Sequence, residues 1–166
     1  MSEEEINKIL ETVGSLYDQG LSILNKSNKI LHDAVYKYPD NISLRLALAA
    51  HMSSTGNIHD GIELYQTVLK SNPNDPYALT GLGMMYFEIG KFSESFKLAT
   101  MSLDVRDMPE ARLLICRHYL SQGKLEDVQT NIDEILKKYP DNEGAILLNQ
   151  RLQHIKAHDD QPETLR

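Results

Sequence analysis

The sequence predicts an all-α protein built from stacked helical hairpins. Three observations carry that expectation. Gly56, Gly90 and Gly123 stand 34 and 33 residues apart. The prolines keep the same period, with 34 residues from Pro39 to Pro73 and 67 from Pro73 to Pro140. On either side of each glycine, apolar residues recur at helical spacing, and no stretch alternates with period two for long enough to suggest a sheet. Two independent residue classes holding one period mark an internal repeat, each copy of which must stack on its neighbours to bury its apolar face.

The middle unit shows the pattern most plainly. Leu79, Leu82, Gly83 and Tyr86 form one helical stripe before Gly90, and Phe92, Phe96, Ala99 and Leu103 form another after it. Gly90 ends the first helix, where a residue with positive φ closes the last turn. Proline with an Asp/Asn pair ends the second helix and starts the next unit, as in Tyr38-Pro39-Asp40-Asn41 and Tyr139-Pro140-Asp141-Asn142. The predicted organisation is a single domain over 1–158. It comprises a divergent hairpin over 6–41, repeats over 42–75, 76–108 and 109–142, a capping helix over 143–156, and a flexible tail over 159–166. In the first hairpin Val13-Gly14 and Tyr17 stand for the motif. In the last helix Ala145, Leu148, Leu152 and Ile155 share a face.

These residues resemble the tetratricopeptide-repeat family, whose 34-residue helix–turn–helix carries Leu-Gly, a Tyr three residues on, a Gly four further, and a closing Pro. The middle unit matches with Leu82-Gly83, Tyr86 and Gly90. Its neighbours match with Leu48-Ala49, Met52, Gly56 and Pro73, and with Ile115-Cys116, Tyr119, Gly123 and Pro140. Arg45, Leu79 and Arg112 stand where the family often has Trp. The middle unit has Asp107 where its closing Pro belongs and is one residue short, so distortion is expected at Asp107-Met108-Pro109. The resemblance implies a right-handed solenoid in which a small residue at Ala49, Gly83 and Cys116 lets the two helices of a hairpin touch. Tyr86 and Phe92 are expected to fill the hairpin core.

Composition narrows the function. The net charge of −7 and the lack of any basic run argue against a nucleic-acid or anionic-membrane partner. The N-terminus, Met1-Ser-Glu-Glu-Glu-Ile6, has no basic start or apolar stretch, so no export signal and a cytoplasmic setting are expected. A single cysteine, Cys116, allows neither an internal disulfide nor a cysteine zinc site, and a buried small apolar role outweighs a reactive one. Gly81-Leu82-Gly83 lacks the further glycine and preceding strand of a dinucleotide loop. His154 and His158, four apart, have metal-ligand spacing, but a solvated helix end explains them as well. No acid–base pair or nucleophile triad emerges. No enzyme activity, cofactor or metal is expected.

What remains is surface. Tyr77, Thr80, Met84 and Phe87 follow spacings of three, four and three, a second apolar stripe on the helix that already supplies the core stripe. The resemblance assigns such positions to the concave groove and adds Leu46 and Ala50 from the preceding unit and Leu113, Arg117 and Leu120 from the next. Two uses compete. Neighbouring first helices could bury the stripe between them, or it could line a groove for an apolar extended or helical peptide segment of another protein. A homodimer or self-assembling scaffold through the same face is the third. Arg117 is the only cation among these positions, which argues against gripping a partner's C-terminal carboxylate. A short, acidic chain of this architecture is also similar to the repeat chaperones of bacterial type III secretion, which implies an adaptor or chaperone-like binding role.

Overall fold

A computed structural model describes residues 2–17 and 21–159, without the side chains of 15–23 and 158–159. All regular structure in them is helical: α1 (Glu3–Tyr17), α2 (Leu21–Lys37), α3 (Ile42–Ser54), α4 (Ile58–Ser71), α5 (Pro76–Glu88), α6 (Phe92–Val105), α7 (Pro109–Ser121), α8 (Leu125–Lys138) and α9 (Glu143–Asp159). Each helix packs on its neighbours in sequence. The odd-numbered helices also touch one another, α1 on α3, α3 on α5, α5 on α7 and α7 on α9. That is a row of helical hairpins stacked side by side, as the periodicity predicts. The end of the expected tail, 160–166, lies outside the described residues, while Asp159 still belongs to α9.

Repeated local chemistry sets the hairpin turns. Gly56, Gly90 and Gly123 have φ of 78°, 79° and 69°. At Gly90 the glycine N–H bonds the Phe87 carbonyl at 3.1 Å, and the Lys91 N–H reaches back to the Tyr86 carbonyl at 2.8 Å. This pair of bonds is a Schellman closure, which needs a left-handed residue that glycine adopts without a Cβ penalty. Between hairpins, a side-chain oxygen caps the next helix. Asn41, Asp75 and Asn142 accept the N–H groups of Leu44, Ala78 and Ala145 at 3.0, 2.9 and 2.9 Å. Such a cap contributes about 1 kcal/mol.

The short unit breaks the series. Met108 stands at the N-cap of α7 and offers no side-chain cap. Asp107 organises this junction instead. Arg112 grips its carboxylate with Nε at 2.6 Å and Nη2 at 3.2 Å, and Lys138 of α8 donates to the same group. Arg45, the counterpart of Arg112, likewise reaches back to the preceding linker and donates to the Pro39 carbonyl. The arginines that replace tryptophan in the motif therefore anchor the connections between hairpins.

The core runs along the stack through Leu31, Leu48, Ala49, Val68, Leu82, Ala99, Leu114, Cys116, Val128, Ile132 and Leu152, all buried. A Cβ on Gly83 would sit 3.0 Å from Leu114 Cδ2 and 3.3 Å from the Ser95 carbonyl, so α5 meets α6 and α7 closely there. Gly14 differs from its expected counterparts, because a Cβ there meets nothing within 4 Å among the described residues. Phe92 also departs from expectation. It is 53% exposed rather than in the hairpin core, because it opens α6 at the turn and lies edge-on to Phe87. Tyr86 is only half-buried. On α9, Ala145 and Leu152 are buried, while Gln150, at the position where α5 and α7 present the buried Gly83 and Cys116, is exposed. A polar outer face is what the terminal helix of a stack requires.

Candidate functional site

The stacking of α3 on α5 leaves an open groove of about 470 Å³, lined by Ser43, Leu46, Ala47 and Ala50 from α3 and Tyr77, Thr80, Gly81 and Met84 from α5. Tyr65 of α4 closes it below, and Met108 and Glu110 at the start of α7 close one end. Among these lining residues Glu110 alone is charged. A larger concavity of about 590 Å³ between α1 and α2 carries Glu5, Lys8, Asp33 and Lys37 on its walls, and so lacks the apolar character of the first.

The groove follows from small residues on two facing helices. Ala47 and Ala50 keep α3 low. On α5, a Cβ at Gly81 would lie 2.2 Å from Tyr65 Cζ. The missing side chain lets the Tyr65 ring lie against the α5 backbone and form part of the floor. Thr80 is only 3% exposed, and its hydroxyl turns inward to Ser102 Oγ at 2.8 Å. Ser102 donates its own proton to the Pro76 carbonyl at 2.9 Å, so Thr80 is the donor in that pair. The polar atom at this point is thus satisfied inside α6. Tyr77 stands on the rim, 52% exposed, with its hydroxyl accepting from Arg106 Nη1 at 2.9 Å and the guanidinium 5.8 Å from its ring centre.

Of the nine residues expected from the sequence, Leu46, Ala50, Tyr77, Thr80 and Met84 line this one groove. The other four are placed elsewhere. Phe87 is half-buried against Phe92 and His118, with ring centres 5.2 and 4.9 Å away. Leu113 packs beneath the start of α9, 2.9 Å from where a Gly144 Cβ would lie. Arg117 is exposed and pairs with Glu88 at 3.5 Å. Leu120 packs on the cluster of Cys116, Val128, Ile132 and Leu152. Sequence reasoning missed Ala47, Tyr65, Gly81 and Met108. The signal available was Gly81 itself, a second small residue one turn from Met84 that the hairpin contact at Gly83 does not need.

The titratable groups within the stack have structural surroundings. Burial pushes the Cys116 thiol up to about 12, as expected of a buried small residue. His118 and His51 are 2% and 1% exposed, and burial lowers the pKa of both. Among the described residues no group of His, Cys, Asp or Glu could hold a metal ion. The side chain of His158, one half of the His154 pair, lies outside them. No described helix is long and apolar enough to cross a membrane.

Comparison with known proteins agrees with this architecture. No family model matches the chain. Over 96 residues, 55% of this chain, it is 32% identical to a CTR9 homolog of Arabidopsis thaliana, and the match spans 9% of that protein. The solved structure of TTC0263, a thermophilic TPR protein of Thermus thermophilus, superposes with a TM-score of 0.60 at 14% identity and covers 89% of this chain and 98% of its own. The first TPR domain of Spaghetti (RPAP3), bound to the HSP90 peptide SRMEEVD, superposes with a TM-score of 0.61 at 16% identity and covers 70% of this chain and 93% of its own. The repeat period, the glycine closures and these superpositions agree, and the chain has the fold of a tetratricopeptide-repeat solenoid.

Proposed function

We propose that this chain is a non-enzymatic protein-interaction module that seats an apolar segment of a partner protein in the groove between α3 and α5. The observation that carries this is the groove wall itself. Leu46, Ala47, Ala50, Tyr77 and Met84 form an open apolar surface over the Tyr65 ring, and the hydroxyl of Thr80 behind it is already satisfied. Contiguous apolar surface left open to water marks an interaction site. Methionine adapts to varied partners, and tyrosine on a rim supplies an anchor with little entropy to lose. A structural neighbour with a bound peptide supports the use of this fold for peptide capture. That peptide is acidic, whereas no cation lines this groove, so the recognition chemistry here is different. An adaptor or chaperone-like role, keeping a partner's apolar segment soluble in the cytoplasm, is the broader function this binding would serve.

The test is selection of a random peptide library on the immobilised full chain, followed by titration of the recovered peptides. Leu46→Ser and Met84→Ser should each weaken binding about tenfold or more without changing helicity. Peptides that bind both variants as well as the wild type would overturn the groove. A dimer by light scattering that Met84→Ser dissolves, with no peptide recovered, would establish the competing use as a self-assembly face.

A further inference from the structure

Charge at the groove mouth specifies the partner further. Glu110 lines the groove from the first turn of α7, is exposed, and takes part in none of the ion pairs among the described residues. A carboxylate is electrostatically favourable at this end of a helix. The nearby cation Arg106 is committed to the hydroxyl and ring of Tyr77 and is not part of the lining. Arg117, farther along α7, already faces Glu88. The groove therefore offers an incoming segment apolar walls and one unanswered negative charge at a fixed end. The whole chain, at net charge −7, adds a long-range field of the same sign.

We infer that the segment this groove accepts carries a lysine or arginine beside its apolar residues, placed to meet Glu110. The inference rests on the groove reading above and adds register and sign to it. An acidic residue at that position would face a carboxylate that no ion pair among the described residues neutralises. Rim charges of this kind select among partners and steer encounter more than they add affinity. The apolar contacts hold the segment, and Glu110 decides which one and in which direction.

The experiment uses peptides selected from a random library on the full-length chain, in parallel on wild type and Glu110→Lys. Wild type should return peptides with an apolar core and a Lys or Arg at one fixed distance from it. Glu110→Lys should return Asp or Glu at that distance. For the best wild-type peptide, replacing its basic residue by Glu should weaken binding about tenfold on wild type and regain most of that on Glu110→Lys, with the preference fading at high salt. Melting of each variant reports whether it folds, and Glu110→Gln, which removes the charge alone, should abolish the preference if the reversal disturbs α7. Peptides that need Leu46 and Met84 but show no charge preference, or none that changes at Glu110, would overturn this inference and leave the groove reading standing. Peptides indifferent to Leu46 and Met84 would overturn both.

Discussion

Ser95 Oγ lies 3.0 Å from His118 Nε2, across the contact between α6 and α7. The same hydroxyl donates to the Gly83 carbonyl at 2.7 Å. A serine has one proton to give, so His118 is the donor to Ser95, and its neutral Nε2–H tautomer is fixed. The protein's three phenylalanines, Phe87, Phe92 and Phe96, all stand nearly perpendicular to this imidazole, with ring centres 4.9, 6.3 and 5.4 Å away. Residues of the same types, Ser27 and His51, are buried two hairpins earlier, 68 and 67 positions back, while the interface between them carries Gly61 and Met85.

That arrangement predicts an acid-sensitive stack. Burial lowers the pKa of His118, and of His51 with a smaller contribution from His32, so the folded state binds fewer protons than the unfolded chain as pH falls. The stabilisation is fully present above the unfolded histidine value of about 6.5, and it declines as pH drops through that value until the folded histidines themselves titrate. Melting temperature should fall between about pH 7 and pH 5, and His118→Gln, which keeps a donor for Ser95, should flatten the fall. Adding His51→Gln should flatten it further. A double variant with the wild-type slope would refute the assignment.

Asp107 carries stability with a lower pH window. Hydrogen bonds from Arg112, then from Lys138, hold its carboxyl at about 2. Its contribution is therefore present above the unfolded value of about 3.9 and is lost as pH falls through about 2. Asp107→Asn should cost about 1–2 kcal/mol at neutral pH, discounted for partial exposure. The gap from wild type in urea unfolding should close as pH approaches about 2. Arg112→Met should cost a similar amount, because the loss of either partner undoes the ion pair that organises the linker before α7. An Asn variant as stable as wild type at neutral pH would show that the junction holds without the ion pair.

Two glycines within helices should respond in opposite directions to alanine. At Gly14 a Cβ meets nothing within 4 Å among the described residues, so Gly14→Ala should stabilise by up to about 1 kcal/mol through helix propensity. At Gly81 the same propensity gain meets the buried Tyr65 ring, whose Cζ would lie 2.2 Å from the new Cβ, so the ring must leave its packed position. Overpacking of this kind costs about 1–3 kcal/mol, so Gly81→Ala should be destabilising on balance. Tyr65→Leu in the same chain should remove most of that penalty. A Gly81→Ala protein that melts above wild type would mean that the ring is not held where the structure places it.

What the sequence makes legible is local and periodic. The φ > 0 glycines, the caps at Asn41, Asp75 and Asn142, and the approach of Gly83 to the Ser95 carbonyl within its own hairpin each depend on residues within one unit or its immediate boundary, so a 34-residue period exposes them. What stays hidden depends on partners from another unit. Gly81 matters because of Tyr65, and His118 because of a serine and three rings in the preceding hairpin. The groove stripe shows the same division. Helix geometry fixes which residues share a face, but the next helix decides what covers it. Leu113 follows the stripe rule, and the start of α9 packs on it.

Phe87 and Tyr77 share the predicted stripe on α5, yet they should separate in experiment. Tyr77 is 52% exposed on the groove rim and packs only with Arg106 among its described ring and hydrogen-bond partners. Phe87 is half-buried and joins the cluster of Ala99, Leu114 and Ile115 as well as the ring set around His118. Truncating a partly buried aromatic in such a cluster should cost about 2–3 kcal/mol, whereas an exposed rim residue should cost about 0.5 kcal/mol or less. Phe87→Ala should therefore lower the midpoint of urea unfolding clearly and leave peptide binding intact in the protein that remains folded. Tyr77→Ala should do the reverse, leaving the midpoint near wild type and weakening peptide capture. If Phe87→Ala instead abolished capture with no loss of stability, the groove would have to extend past Met84 toward the later turns of α7 around His118.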